Sequence, residues 1–409
     1  QRIDAAGRSF STRRDEVEYG HDRIGKNVVY SNLRQGKFED ATGKTGIEQM
    51  SSAGAVAVGD YNNDGFPDIY VSNHGPNTLY KNNGNYNFVE INTGIVNVYQ
   101  GSLQWGDYNN DGYLDVFISN RDIANGLQPN LLYRNNGDTT FTDVSSSAGI
   151  SNLNHLSFCA SFFDFNNDGW QDLILVGEWM SVEFLKNNAG KFANVTKASN
   201  IDQQTGFWSS ITAADVDKDG DMDYVVGNMG LNSFYKASEK YPAQIYASDF
   251  NKDGNFDAIP VLYLKTSFDN PKIQAFPAHT RDDMIKQMIN MRAKFPNYNS
   301  YAKSTINEIL TKEELKTAIV KKATNFASSI LMNEGGGKFS MTALPIEAQF
   351  SNINGIVTED FNADGNIDLL LSGNDYGTEV SVGRYDASNG LLLKGDGKGH
   401  FKPTSIMES

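Results

Sequence analysis

Six copies of the pattern Asp-x-Asn/Asp-x-Asp-Gly-x-x-Asp, short apolar runs on either side of them, and 38 glycines in 409 residues predict an all-β chain folded as a β-propeller. The copies occupy residues 60–68, 107–115, 164–172, 215–223, 249–257 and 360–368. Their starts lie 47, 57, 51, 34 and 111 residues apart, so four steps fit a blade-sized unit and the last holds an insertion. Hydrophobic residues at 39% and aromatics at 11% are enough to build a core.

The flanking runs read as strands. Ala55-Val56-Ala57-Val58-Gly59 leads into the first copy and Ile69-Tyr70-Val71 leaves it; Val116-Phe117-Ile118 leaves the second. A second element follows later in each unit: Leu79-Tyr80-Lys81-Asn82-Asn83-Gly84, Leu132-Tyr133-Arg134-Asn135-Asn136-Gly137, and Leu185-Lys186-Asn187-Asn188-Ala189-Gly190. Each precedes a phenylalanine, Phe88, Phe141 or Phe192, and reads as an outer hairpin whose Asn and Gly residues supply positive φ. The same hairpin recurs at 32–38 without an acidic loop, and again at 331–339 and 393–401. The N-terminal copy is therefore an orphan half, expected to complete a closing blade. Seven blades are expected, with six as the alternative. The division that follows is an N-terminal extension at 1–27 that is a candidate part of the closing blade, a propeller at 28–403, and a tail at 404–409.

Between about residues 280 and 326 the period changes. Met284, Met288, Met291 and Phe295 recur at helical spacing, and Thr280 with Asp283, and Thr311 with Glu314, resemble capping boxes. This predicts a helical insertion, acting either as a cap on the propeller rim or as a docking element.

The loops themselves predict metal. Side-chain oxygens stand at positions 1, 3, 5 and 9, and position 7 offers its carbonyl. These are Asp60, Asn62, Asp64, Phe66 and Asp68; Asp107, Asn109, Asp111, Tyr113 and Asp115; Asp164, Asn166, Asp168, Trp170 and Asp172. The later copies supply Asp215, Asp217, Asp219, Asp221 and Asp223; Asp249, Asn251, Asp253, Asn255 and Asp257; Asp360, Asn362, Asp364, Asn366 and Asp368. Hard oxygen donors of this number suit Ca²⁺ better than Mg²⁺, which prefers a stricter octahedron. An EF-hand is excluded, because position 12 is Val71, Ile118, Leu175, Val226, Pro260 or Leu371 instead of Glu, and the flanks read as strands. Asp, Asn and Gly also make metal-free polar turns, but carboxylates gathered this closely repel one another unless a cation is present. About six Ca²⁺ ions, one per loop, would carry about twelve positive charges and offset most of the formal −15.

That acidity argues against a nucleic-acid partner, which would need clustered Lys and Arg. Cys159 is the single cysteine, so there is no intrachain disulfide, and Ser157-Phe158-Cys159-Ala160 reads as a buried strand. No run is long and apolar enough for a membrane-spanning helix. The start Gln1-Arg2-Ile3-Asp4 lacks a signal-peptide core, so the numbering is expected to begin after any export signal or lipid anchor.

The acidic loops resemble the FG-GAP or VCBS repeats of integrin α-subunit propellers and bacterial surface proteins, over most of residues 28–403. His279-Thr280-Arg281-Asp282-Asp283-Met284, Lys294-Phe295-Pro296, Leu344-Pro345-Ile346-Glu347-Ala348-Gln349-Phe350 and Gly383-Arg384-Tyr385-Asp386-Ala387-Ser388-Asn389-Gly390 resemble the long VCBS-repeat proteins of Bacteroidota grouped with the ASPIC/UnbV family. The resemblance implies an exported protein at the cell surface, associated with the outer membrane of a Gram-negative bacterium beside SusC/SusD-type uptake systems. Such relatives are frequently lipid-anchored, and this chain has no anchoring Cys at its start.

No His-Glu-x-x-His, Gly-x-Ser-x-Gly or Walker pattern occurs, so no catalytic residues are assigned and an enzyme is not expected. One strand beyond the ninth-position Asp of several units, on the face opposite the loops, stand Asn73, His74, Asn120, Arg121, Glu178, Trp179, Asn228 and Asn374, with Arg384 and Tyr385 further along. That face resembles the ligand side of integrin-like propellers, which makes these the candidate contacts, although Ser/Gly-Asn is also ordinary turn chemistry. Trp105, Trp170 and Trp208 read as packing. The expected role is a protein-interaction scaffold; a glycan-binding lectin is the alternative, and a polysaccharide lyase a more distant one.

Overall fold

The computed structural model describes residues 28–404 apart from 34–36, 48–49, 52, 74–76, 86, 96–101, 120–128, 152–156, 267–270 and 379–381. It also gives two short strand pairs, Arg2–Ile3 with Ser9–Phe10 and Gly25–Lys26 with Met50–Ser51. The candidate closing-blade segment 1–27 otherwise lies outside the described residues.

Five four-stranded antiparallel sheets form successive blades of a β-propeller. The first runs Ala53–Gly59, Asp68–Asn73, Thr78–Asn82, Phe88–Ile91, and the second Leu103–Gly106, Asp115–Ile118, Leu131–Asn135, Phe141–Asp143. The third runs Ser157–Phe163, Asp172–Ser181, Glu183–Asn187, Phe192–Asn194, with Thr205–Phe207 paired to its long second strand. The fourth runs Ser210–Ala214, Asp223–Gly227, Ser329–Asn333, Phe339–Ala343, and the fifth Gly355–Glu359, Asp368–Ser372, Leu391–Gly395, Phe401–Pro403. The first strand of each blade neighbours the first strand of the next, which arranges the sheets around one axis. Apolar side chains fill each blade junction. Trp105, for example, stacks on Tyr61 across the first junction, and Phe184 on Phe339 across the third. Trp208 is fully buried and its indole N–H donates to the Met180 carbonyl at 2.9 Å.

The orphan half expected at 32–38 is the two-stranded hairpin Tyr30–Asn32 with Phe38–Asp40. Ile47, just beyond it, packs with Val71 and Tyr80 of the first blade. The described residues thus hold five full blades and this half, where seven or six blades were expected.

The main departure lies in the fourth blade. Its second strand pairs with Ser329–Asn333 in the register Val226↔Ser329, so everything between about residues 228 and 328 is inserted between two neighbouring strands. The inserted unit has its own four-stranded sheet, ordered Ile273–Pro277, Asp257–Lys265, Ala243–Ser248, Ile319–Ala323. The fifth acidic loop belongs to this sheet and not to a blade. The fourth blade's first strand lies directly beside the fifth's, bypassing it.

Five short helices, spanning Arg281–Gln287 to Lys312–Thr317, cross that sheet. The Thr280 and Thr311 caps form as expected, and Thr305 with Glu308 adds a third. Met284, Met288, Met291 and Phe295 are buried, but against Phe250, Ile259 and Val261 of the inserted sheet and not against the propeller rim. The stripe is satisfied within the insertion.

Candidate metal centres and the opposite face

Each loop closes in the same register, with the residue before it paired to its ninth position: Gly59↔Asp68, Gly106↔Asp115, Phe163↔Asp172, Ala214↔Asp223, Ser248↔Asp257 and Glu359↔Asp368. In the first loop the first Asp, Asp60, accepts from the backbone N–H of positions 5 and 6, Asp64 at 3.1 Å and Gly65 at 2.8 Å, whereas in the fourth Asp215 takes those of positions 4 and 6, Lys218 at 2.7 Å and Gly220 at 3.2 Å. Position 4 is a non-glycine residue at positive φ, such as Asn63 at 58° or Asn110 at 55°, and position 6 is glycine, as Gly65 at 87°. A methyl group on Gly65 would meet nothing, so glycine stands there for its backbone angle and not for space.

The ninth-position Asp is buried in all six loops. It accepts from the second residue of its loop and, in the five blade loops, from the third strand: Asp172 takes the N–H of Phe165 at 3.2 Å and of Asn187 at 2.7 Å. Burial pushes Asp68, Asp172, Asp223 and Asp257 up to about 6, and Asp115 to about 7, with further upward push from the carboxylates at positions 5 and 1 or, for Asp223, 3 and 5. The loops therefore hold carboxylates whose charge is unfavourable without a counter-cation.

Three loops carry a partial substitute. Lys81, Lys186 and Lys394, one residue before the third-strand position that faces the ninth Asp, sit 3.3, 3.0 and 3.0 Å from Asp64, Asp168 and Asp364. The fourth loop has Met332 at that place and aspartate at positions 1, 3, 5, 7 and 9. There one carboxylate oxygen each from Asp215, Asp217 and Asp223 lies within 4.8 Å of the others. An all-oxygen, multiply anionic donor set of this kind fits a hard divalent cation of the Ca²⁺ type.

The contacts predicted on the opposite face fare differently. His74, Asn120 and Arg121 lie outside the described residues. Trp179 and Tyr385 are buried, because the inserted unit folds back over them: Trp179 packs edge-on to Phe207, and both join a cluster with Ala243, Ile245 and Phe326. Asn228 is fully buried and works as a brace, accepting from Phe207 and Met229 N–H and donating to the Asn325 carbonyl. Asn374 holds Ser388 through bonds to both its backbone groups, and Asn73 is buried beside Thr78. Glu178 is half-buried in register with Phe207, and Arg384 is exposed. Of the described candidates, Arg384 alone presents an exposed side chain to solvent.

Sequence reasoning missed the residues that join one blade to the next. Asn135, Asn187 and Asn333 at the ends of third strands donate to carbonyls of the preceding blade's loop, those of Tyr61, Tyr108 and Phe165, at 2.7, 2.7 and 3.1 Å. The signal for Asn135 and Asn187 was the repeated Lys/Arg-Asn-Asn element, which reads locally as a turn, whereas Asn333 stands between Met332 and Glu334.

Tandem four-stranded blades, each closing an acidic loop at the same end, define a repeat β-propeller. The chain belongs to the FG-GAP-like repeat family, matched at residues 14–71, 60–118, 107–175 and 164–226. It is 25% identical over 247 residues to cartilage acidic protein 1 of Xenopus tropicalis, a stretch covering 54% of this chain and 37% of that protein. The chain thus spans well under half the length of this curated relative. Among solved structures, a lectin from Agrocybe aegerita that recognises non-reducing terminal N-acetylglucosamine aligns over 93% of this chain and 88% of its own, at 16% identity and a TM-score of 0.38. The V. cholerae biofilm matrix protein Bap1 aligns over 90% and 72%, at 11% identity and a TM-score of 0.33. No helix among the described residues is long and apolar enough to cross a membrane.

Proposed function

We propose that the protein is an exported, calcium-stabilised propeller that binds another protein at the cell surface, with the acidic loops as structural staples and the opposite face as the contact surface. The observation that carries this reading is a set of large apolar side chains left in solvent on that face: Leu231, Phe234, Ile346, Phe350 and Tyr376, between 43% and 60% exposed. They sit on segments tied to one another. Asn232 bonds the Gln349 and Phe350 carbonyls, and the Phe234 N–H donates to the Tyr385 hydroxyl. A subunit of an outer-membrane uptake complex of the SusC/SusD type is the partner class the sequence resemblance suggests. Copurification from native outer membranes tests it: a stoichiometric transporter partner supports the reading, and a chain recovered alone refutes it.

A glycan-binding role is the second reading. A cavity of about 370 Å³ beside the third and fourth blades is lined by Asn200, Gln204, Asn325 and Ser340 with Phe339 and Met341. Amides next to apolar surface suit a neutral sugar. Saturable binding on a glycan array, lost in Asn200→Ala, would favour it over the protein partner.

A further inference from the structure

The acidic loops are joined to one another along their rim. Asn63, at position 4 of the first loop, donates its side-chain amide to the Gly112 carbonyl of the second at 2.8 Å. Asn110 of the second does the same to Gly169 of the third at 2.9 Å. Asn167 of the third reaches the Asp221 carboxylate of the fourth, and Lys218 of the fourth reaches the Asn366 side chain of the fifth blade's loop, each at 2.7 Å. All four donors stand at position 4, and all four acceptors at position 6 or 7 of the following blade's loop. The series stops at Ala363, which has position 4 of the last loop but no side chain to extend.

These bonds grip the part of each loop that a cation would use. The Gly169 carbonyl and the Trp170 N–H belong to one peptide unit. Asn110 holds its oxygen and the position-5 carboxylate of Asp168 accepts its N–H at 3.1 Å. The Gly112–Tyr113 unit is held in the same way, by Asn63 and by Asp111 at 3.0 Å. The donor's own placement depends in turn on closure of its loop. Asn110 has positive φ within the turn that Asp107 and Asn109 close by accepting the next N–H, that of Asp111. A cation that tightens the second loop therefore fixes Asn110, which fixes a peptide beside the donors of the third.

We infer that the position-4 side chains Asn63, Asn110, Asn167 and Lys218 couple each of the first four blade loops to the loop of the next blade, so that the divalent sites fill cooperatively around the rim. The inference rests on the calcium reading above. By linkage the coupling is reciprocal: each occupied loop raises the affinity of its neighbour. The loop at 249–257 is outside the series, since its position-3 Asn251 bonds the Gln287 carbonyl within the insertion.

The test is a Ca²⁺ titration of the whole chain followed by hydrogen exchange of the peptides spanning 164–172 and 249–257. Asn110→Gly removes the amide without strain at positive φ, and Asn110→Ala is a second variant that the backbone accepts, as Ala363 shows at φ 59°. Coupling predicts that both variants move the 164–172 midpoint to at least about fivefold higher Ca²⁺ and leave the 249–257 midpoint in place. Unchanged midpoints at 164–172 overturn the inference, as does an equal shift in both peptides, which would mark general loosening. Absence of any Ca²⁺ response in the unsubstituted chain overturns the calcium reading itself.

Discussion

The side-chain amide of Asn187 donates to the carbonyl oxygen of Tyr108 at 2.7 Å, tying the third blade to the acidic loop of the second, 79 residues earlier. The same amide reaches the Gln171 carbonyl at 2.8 Å, and the residue is buried. Asn187→Ala leaves a buried carbonyl and a part-buried one without this partner, a loss of about 1–3 kcal/mol. Urea unfolding should show the reduced midpoint, with a similar loss for Asn135→Ala, which cuts the bond to Tyr61. A change below about 0.5 kcal/mol in both would mean that these bonds do not join the blades energetically.

Calcium removal should act most visibly through the fourth loop. Burial and the neighbouring Asp219 and Asp215 raise Asp217 above the ordinary carboxylate range, so its charge strains the metal-free loop. Asp217→Asn is therefore expected to melt slightly above the unsubstituted protein in EGTA and to gain less when Ca²⁺ is added. A single occupied site contributes roughly 3 kcal/mol at a hundredfold excess over its Kd. Thermal melts in EGTA and in millimolar Ca²⁺ should cross between the two proteins; parallel melts count against a cation at Asp215, Asp217 and Asp223.

The repeat and its loop geometry were legible because they are local. The odd positions 1 to 9 make most of their bonds within nine residues and to one neighbouring strand, so composition at those positions carries the information, whereas the position-4 bonds to the next loop do not show in it. The insertion was half legible: the Met284 to Phe295 stripe and the threonine caps announced helices, but its ends did not. Strand-loop-strand at 243–265 looks the same in sequence whether its sheet is a blade or an excursion, and the partner of Asp223–Gly227 lies a hundred residues on. The burial of Trp179 and Tyr385 was illegible for the same reason, since they are covered by a unit whose position follows from long-range pairing.

Glu183 gives a pH signature separate from the loops. It is buried on the third strand of the third blade, and burial pushes it from 4.5 up to about 7, against the opposing effect of Lys321 on the insertion's last strand. The folded protein holds this proton more tightly than the unfolded chain. Its contribution is full below about pH 4.5 and is lost as pH rises through 7, a total of roughly 3 kcal/mol at about 1.4 kcal/mol per pH unit. Glu183→Gln should flatten the fall in stability between pH 5 and 8 relative to the parent, measured by denaturant unfolding at each pH. Equal slopes would show that Lys321 already keeps the carboxylate ionised.

The insertion should be separable from the ring, at boundaries set by pairing and not by helicity. Val226 and Ser329 face each other across one ladder, and the Asn228 N–H donates to the Ser328 hydroxyl at 3.0 Å, so the two ends meet as in a hairpin. Replacing residues 229–327 with a short Gly-containing turn keeps every ladder of the fourth blade. Deleting 280–326 instead removes Ile319–Ala323, which pairs with Ala243–Ser248, and leaves three of the four strands behind with an unpaired edge. The first variant is expected to retain the β signal in circular dichroism and a cooperative melt, at a lower midpoint because Trp179, Phe207 and Tyr385 lose their cover. The second is expected to aggregate, through the unpaired edge and the bared apolar residues of the inserted sheet. If the first variant fails to fold while the second is soluble, the inserted unit is an integral part of the propeller.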